Sequence, residues 1–305
     1  MDSNAISLKV IRFMEACSYF NTDVWNLKGG MTYLGERLSS NMPAAFGKLG
    51  STENQALRAY LRTKNLPDRE LSTLKYRTVL CSHSGIFPID YDYFAEYCEY
   101  MIGNVLPEMT AMSVWFVHGE SSLVKRFCQC RLLSFDCLDV YKASNLFTWK
   151  GILEGKRILV VHPFEKSILH QLNKRKTLGC LATPVLPLNC EISVLRMPQL
   201  PKLVPPTESD WHKRLERLEN EMTQHDFDIA VIGAGAYSLP LAVHAKKLGK
   251  KGVHLGGNLQ LWFGIMGGRW DDYEYIKQYQ NEHWIRPLPE DTPLHSKGIE
   301  DGCYW

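Results

Sequence analysis

One segment in the last third of the chain constrains the fold more than any other, because it reads as strand, glycine-rich turn, helix and strand in succession. The run Asp228–Ile232 is aliphatic after its first position. The sequence Gly-Ala-Gly-Ala-Tyr-Ser then leads into a helical pattern that ends at Gly249, and a second strand pattern follows at Gly252–Leu255. Parallel strands need a crossover connection of this kind, so the segment predicts a parallel sheet covered by helices.

The rest of the chain repeats this alternation of short aliphatic runs and longer amphipathic stretches. Ser51–Thr63 and Trp211–His225 have apolar residues at helical spacing, and a further helix pattern opens at Asp90. Six runs have the composition of strands: Ala45–Leu49, Met112–Val117, Arg157–Val161, Glu191–Leu195, Asp228–Ile232 and Gly252–Leu255. We therefore expect an α/β fold, Rossmann-like, with a mostly parallel sheet and helices on both faces.

A proline-rich stretch divides the chain into two parts. Residues 184–206 contain six prolines around one strand pattern, a composition typical of a rigid connector. We expect one α/β body over residues 1–305, in which two lobes meet near residues 184–206.

Composition excludes several classes of protein. The 305 residues are 45% hydrophobic and carry a formal net charge of +2, which argues against disorder and against the basic surface of a nucleic-acid-binding protein. The nine cysteines are odd in number and do not form the paired doublets of zinc modules. Reduced thiols in a cytoplasmic protein are the expectation.

A membrane segment is not expected. The first residues include an acid and lack the apolar core of a signal peptide. The longest apolar stretch, Ile229–Val243, is shorter than the ~20 residues that span a bilayer, and Gly233, Gly235 and Pro240 interrupt it. We expect a cytoplasmic protein without a transmembrane segment, and the sequence does not specify its oligomeric state.

The glycine-rich turn is a candidate anion site. Glycines let a backbone approach a phosphate, and the following helix adds free N–H groups and the positive end of its dipole. A nucleoside diphosphate or a similar anion is the favoured ligand. The residues that would bind it are Gly233, Ala234, Gly235, Ala236 and Tyr237. Two alternatives stay open: a dinucleotide, for which Ser238 replaces the third glycine of the fingerprint, and a tight turn with only a structural role.

Two further strand ends are expected beside this turn. Ligands of open α/β sheets bind at the carboxyl ends of the strands, so side chains placed there face a common crevice. A histidine satisfied within the core is the alternative at each position. The candidate residues are His162, Phe164, His254, Gly256 and Gly257.

Acidic residues offer three candidate sites. Asp90-Tyr91-Asp92 has the D-x-D spacing of cation-binding carboxylates, but it opens an amphipathic helix, where aspartates act as caps. The cluster 271–274 reads as an exposed helix start. Glu53 follows a strand and a glycine turn, where its carboxylate would reach a cation, a sugar hydroxyl or an acceptor proton. Its alternative role is to stabilise the first turn of its own helix.

Seven sequence blocks carry a resemblance to a known family. They are residues 46–53, 155–164, 227–237, 254–257, 263–265, 267–270 and 302–305. Together they resemble the GT-D class of glycosyltransferases and related proteins of surface-polysaccharide biosynthesis clusters. The similarity spans most of the chain and is more specific in the C-terminal half.

The resemblance implies an activity and a donor site. Members bind a nucleoside-diphosphate sugar, such as a UDP-sugar, and transfer the sugar to a hydroxyl of a growing surface glycan. Ser51, Thr52 and Glu53 occupy the place of the family's D-x-E motif. Glu53 is therefore the implied catalytic residue and the implied ligand of a divalent cation, Mn²⁺ or Mg²⁺, although Ser51 stands where the aspartate would be. An NAD(P)-dependent oxidoreductase and a non-catalytic nucleotide-binding protein are the alternatives.

Overall fold

The strands in the described part of the chain form a single parallel sheet. The computed structural model describes residues 3–142, 145–178, 184–199 and 205–305. Its strands are β1 Val24–Trp25, β2 Ala44–Gly47, β3 Ala111–Val114, β4 Arg131–Ser134, β5 Arg157–His162, β6 Glu191–Arg196, β7 Ile229–Ile232 and β8 Lys251–His254. Their order in the sheet is β1-β4-β3-β2-β8-β7-β5-β6, and every pair of neighbours is parallel.

Helices connect the strands and cover both faces of the sheet. Their bounds are α1 Ser3–Ser18, α2 Leu27–Ser39, α3 Ser51–Thr63, α4 Arg69–Ser84, α5 Tyr91–Tyr100, α6 Glu120–Phe127, α7 Asn145–Leu153, α8 Glu165–Leu178, α9 Trp211–Thr223, α10 Ser238–Lys247 and α11 Glu274–Lys277. Short 3₁₀ helices at Gly235–Tyr237, Gly256–Phe263 and Gly268–Trp270 follow β7 and β8. The predicted α/β fold, with a parallel sheet and helices on both faces, is confirmed.

The predicted strands agree with the observed ones to within three residues at each end. The sequence does not predict β1 and β4, because β1 has two residues and β4 has only Leu132 and Leu133 as its buried aliphatic pair. The end of β3 was predicted at Val117, and this is wrong. Phe116 has a left-handed backbone with φ of 59°, which ends the extended conformation.

The direction of each crossover decides which face its helix covers, because such connections are right-handed. The helices α3 to α6, α9 and α10 belong to connections that move toward β1, and their side chains share one core cluster. The helices α2, α7 and α8 belong to connections that move toward β6, and they pack in a second cluster on the other face. Since β5 and β7 are neighbours whose following helices lie on opposite faces, a crevice opens between their carboxyl ends.

The proline-rich stretch is described only in part. Strand β6 lies within residues 184–199, whereas residues 200–204 lie outside the described residues, as does Cys180. The division into two lobes near residues 184–206 therefore stays a prediction.

The eight cysteines in the described part of the chain are free thiols. None of the helices in these ranges is both long enough and apolar enough to cross a membrane.

The loop after β3 is held by a buried carboxylate. Glu120 is fully buried and accepts N–H bonds from Trp115 at 3.2 Å and Phe116 at 2.9 Å. The hydroxyl of Tyr19 lies 3.4 Å from the same carboxylate. Burial raises the pKa of Glu120 to about 7, and the neighbouring charge of Glu15 adds to the rise. The carboxylate thus fixes the left-handed turn that carries the chain away from the sheet.

Replacement of Glu120 should change how stability depends on pH. Because folding raises this pKa from 4.5 to about 7, the folded chain binds the proton more tightly. Its contribution to stability is complete below pH 4.5 and is lost as pH rises through 7, with a slope of at most about 1.4 kcal/mol per pH unit. When urea denaturation is repeated from pH 5 to pH 8, the free energy of unfolding of the Glu120→Gln variant should lack the part of the pH dependence that Glu120 contributes. A Glu120→Gln curve parallel to those of the wild type and of the exposed control Glu290→Gln would contradict this.

Gly252 permits α10 to pack against β8. A Cβ at this position would lie 2.4 Å from the backbone carbonyl oxygen of Ala242, which has no room to move aside. We expect Gly252→Ala to lower the free energy of unfolding by about 3 kcal/mol. Gly151→Ala in α7 is the matched control, because its added Cβ meets nothing within 4 Å and alanine favours helices. Equal stability of the two variants in urea denaturation would disprove this packing constraint.

Candidate active site

A cavity of about 760 Å³ lies at the carboxyl ends of the strands. It is bordered by the residues that follow β2, β3, β4, β5, β7 and β8. All but two of the predicted site residues line it. They are Ser51, Thr52, Glu53, His162, Phe164, Gly233, Ala234, Gly235, His254, Gly256 and Gly257. The sheet therefore brings together segments that are more than 200 positions apart in the sequence.

The glycines of the turn after β7 permit close packing of the chain. A Cβ on Gly233 would lie 2.8 Å from the carbonyl oxygen of Gly256 and 2.8 Å from Cδ2 of His162. Gly235 has a φ of 54°, and its Cβ would lie 2.7 Å from the carbonyl oxygen of Ser84. These positions need glycine because three strand ends and the end of α4 converge there.

Most amide groups of this turn already have partners within the protein. The N–H of Gly233 donates to the carbonyl of Val161 at 2.8 Å, and the N–H of Ala234 donates to the hydroxyl of Ser238 at 2.8 Å. The N–H of Tyr237 donates to the carbonyl of Ala234 at 3.2 Å. This arrangement gives no support to a dinucleotide cradle, and the binding of a nucleoside diphosphate at the turn stays a prediction.

Ala236 and Tyr237 are the predicted site residues that do not line the cavity. Both are buried, and the Tyr237 hydroxyl donates a hydrogen bond to the carbonyl oxygen of Gly85 at 2.9 Å. Tyr237 therefore attaches the turn to the end of α4. Because its ring is buried and does not border the cavity, this geometry gives no support to a direct contact between Tyr237 and a ligand.

The two histidines at the strand ends are neutral. Burial lowers the pKa of His162 to about 3 and that of His254 to about 3. Nδ1 of His162 accepts the N–H of Phe164 at 3.0 Å, so this ring fixes the turn after β5. Nδ1 of His254 lies 3.4 Å from the carbonyl oxygen of Ile232 on the neighbouring strand. Neither ring brings a positive charge to the cavity.

Glu53 lies in the first turn of α3, and its carboxylate turns back over the glycine that precedes the helix. A Cβ on Gly50 would lie 1.9 Å from Oε2 of Glu53. Burial raises the pKa of Glu53, while its own N–H, the Ser84 hydroxyl and the charge of Lys48 act in the opposite direction. The carboxylate is thus a stronger base than an exposed glutamate and borders the cavity.

Lys48 is a cavity residue that sequence reasoning missed. It follows β2 directly, and its ammonium lies 5.0 Å from the ring centre of Trp115. Burial lowers the pKa of Lys48, and Arg269 adds to this, whereas Glu53 and Glu300 oppose it. Across the described ranges, no carboxylate oxygen lies within the 4.0 Å of an ion pair with Lys48. The sequence feature that could have indicated Lys48 is its position between two glycines, at the point where a strand pattern ends and a helix pattern begins.

Arg269 is the second missed residue, and it lies on the wall formed by the last residues of the chain. Its guanidinium forms an ion pair with Glu300 and a hydrogen bond to the Tyr304 hydroxyl at 3.1 Å. Its backbone N–H donates to the carbonyl of Cys303 at 2.8 Å. Desolvation acts against the charged form, but Tyr304 and Glu300 outweigh it and raise the pKa of Arg269. The charge of Arg269 is therefore permanent.

The carboxylates around the cavity do not fit a divalent cation. In the ranges that the structure describes, no group of three or more His, Cys, Asp or Glu side chains is arranged to hold a metal ion. Asp139 accepts bonds from the Tyr275 hydroxyl at 2.7 Å and the Tyr141 N–H at 3.0 Å. Glu300 is paired with Arg269. Asp136 also borders the cavity, but among the described residues neither it nor Glu53 belongs to a group that supplies the further ligands that Mn²⁺ or Mg²⁺ requires.

The other acidic motifs lie outside the cavity. Asp90 and Asp92 are exposed at the start of α5, where Asp90 is the N-cap residue but makes no capping hydrogen bond with its side chain. Asp271 is exposed and forms an ion pair with Arg286 at 2.6 Å. Neither motif contributes an acidic side chain to the cavity lining.

Comparison with known proteins found no family model and no curated protein that matches the sequence. A solved structure described as a new glycosyltransferase (DUF1792) from Streptococcus sanguinis is similar, with 12% identity over 88% of this chain and 96% of that chain and a TM-score of 0.40. A likeness at this TM-score does not establish a shared activity.

Proposed function

We propose that this protein is a glycosyltransferase that moves a sugar from a nucleoside-diphosphate sugar to a hydroxyl of a glycan. The observation that carries the proposal is the cavity itself, which lies at the carboxyl edge of a parallel sheet and is lined by the buried carboxylate of Glu53 and by the cations Lys48 and Arg269. Its volume of about 760 Å³ lies in the range of pockets that enclose ligands of this size. The motifs shared with GT-D glycosyltransferases support the same reaction.

The proposed chemistry is displacement at the anomeric carbon of the donor sugar. The acceptor oxygen forms a bond to that carbon while the bond from the carbon to the diphosphate oxygen breaks. The electron pair of the broken bond leaves with the diphosphate, and the proton of the acceptor hydroxyl passes to Glu53. A carboxylate whose pKa is raised by burial suits this role, because its basicity is closer to what proton removal at neutral pH requires.

Aromatic rings on two sides of the cavity are suited to the flat faces of a base and of sugars. Trp115 and Phe135 are stacked with their ring centres 5.4 Å apart, and Lys48 lies over Trp115. Tyr304 is partly exposed and also borders the cavity, and its ring packs against the buried Trp270 with ring centres 6.1 Å apart. Both pairs border the cavity. Such surfaces bind rings through apolar contact while leaving hydroxyls free for hydrogen bonds.

The direct test is a panel of nucleotide sugars, beginning with UDP-sugars, with release of the nucleoside diphosphate as the readout. We expect release with at least one donor and a faster release when a glycan acceptor is added. Absence of turnover and of nucleoside-diphosphate binding in calorimetry would disprove the proposal. Binding without release would instead favour a non-catalytic nucleotide-binding protein.

Glu53→Gln should lower kcat by a factor of about 100 to 10,000, the range that a general base contributes. Binding of the nucleoside diphosphate should be retained, because the amide keeps the size of the carboxylate. The matched control is Glu36→Gln, an exposed position on α2 outside the cavity, which should leave kcat unchanged. Full activity of Glu53→Gln would exclude Glu53 from the proton transfer.

A further inference from the structure

The cavity contains a cation that has no partner in the protein. The Lys48 ammonium borders the cavity and lies above the Trp115 ring at 5.0 Å, and in the described residues no carboxylate pairs with it. Lys48 is partly buried, and an unpaired cation that is partly removed from water is unfavourable, so burial lowers its pKa. A bound anion would remove this cost.

A second cation shares the electrostatic field of the first. Arg269 lowers the pKa of Lys48, while Glu53 and Glu300 raise it, so these four charges act on one another across the cavity. Arg269 borders the cavity, is paired with Glu300 and Tyr304, and has about a third of its side chain exposed. Arg12 and Lys142 also border the cavity, but Lys142 lies 4.5 Å above the ring of Tyr275.

The same region lacks what a divalent cation needs. Ser51 occupies the position where the resembling family has the aspartate of its D-x-E motif, and a serine hydroxyl brings no negative charge. Glu300 is paired with Arg269, Asp139 accepts the Tyr275 hydroxyl, and the positive charge of Lys48 acts on Glu53. In the described residues, Glu53 and Asp136 are not part of a group of three side chains that could hold a metal ion.

We propose that Lys48 and Arg269 together neutralise the diphosphate of the donor and of the leaving group, in place of a divalent cation. This inference rests on the proposed function, because it assumes that the cavity binds a nucleoside diphosphate. Two fixed cations stabilise the negative charge that develops on the leaving oxygen as its bond to the sugar breaks.

The first experiment measures metal dependence. Calorimetry with UDP, GDP, CDP and ADP is performed on the wild type in EDTA and again in Mn²⁺ or Mg²⁺. We expect at least one nucleoside diphosphate to bind in EDTA, with a Kd within threefold of its value in the metal buffers. Binding that requires the metal would overturn the inference and leave the glycosyltransferase proposal standing. Binding of none of them under any condition would overturn both.

The second experiment removes each positive charge. Lys48→Met and Arg269→Gln should each weaken binding of the tightest nucleoside diphosphate by at least tenfold in EDTA, and Lys48→Arg should restore most of the affinity. The matched control is Lys246→Met, which removes a cation paired with Glu108 outside the cavity and should leave Kd unchanged. Unchanged affinity of the Lys48→Met and Arg269→Gln variants, with circular dichroism showing that they are folded, would overturn the inference.

The third experiment distinguishes neutralisation of the diphosphate by cationic side chains from neutralisation by a metal ion, because the two mechanisms predict opposite changes in affinity. Glu300→Gln removes the carboxylate that competes for Arg269, so nucleoside-diphosphate binding should become tighter, by about threefold or more. If Glu300 instead held a metal that binds the diphosphate, the same variant would bind more weakly. Weaker binding of Glu300→Gln would therefore overturn the inference even if Lys48→Met failed to fold.

Discussion

The close approach of the carboxyl ends of β5, β7 and β8 is the constraint on which the rest of the structure depends. Gly233 lies against the backbone of Gly256 and the ring of His162 with no room for a Cβ. This contact fixes the direction in which each strand leaves the sheet. Because the helix after β7 and the helix after β5 cover opposite faces, the gap between these ends becomes the floor of the cavity.

The sheet and several site residues follow from the sequence, because buried parallel strands are almost wholly aliphatic and end where a glycine or histidine breaks the run. The function of the glycine-rich turn cannot be deduced from the sequence in the same way. Glycine is needed equally when a phosphate approaches the backbone and when another strand does, and only the hydrogen bonds of Ala234 and Tyr237 distinguish the two cases. A sequence pattern does not show whether a glycine packs against a ligand or against another strand.

Lys48 and Arg269 could not be found in the same way. A single lysine or arginine in a loop is usually solvated, and what makes these two unusual is that they border the same cavity although they are more than 200 residues apart in the chain. That position depends on the pairing of β2 with β8 and on the contacts of residues 267–270 with residues 303–305. Tertiary structure therefore turns two ordinary surface-type residues into one electrostatic feature of the cavity.

The location of β8 also governs the order in which the sheet can be completed. This strand is the last one along the chain, yet it lies between β2 and β7 near the centre of the sheet. Until residues 251–254 have left the ribosome, β1 to β4 and β5 to β7 have no strand to join them, and β2 and β7 present unpaired edges to solvent. Closure by a single late strand makes the pairing non-local, and folding of such a topology is slow and sensitive to aggregation.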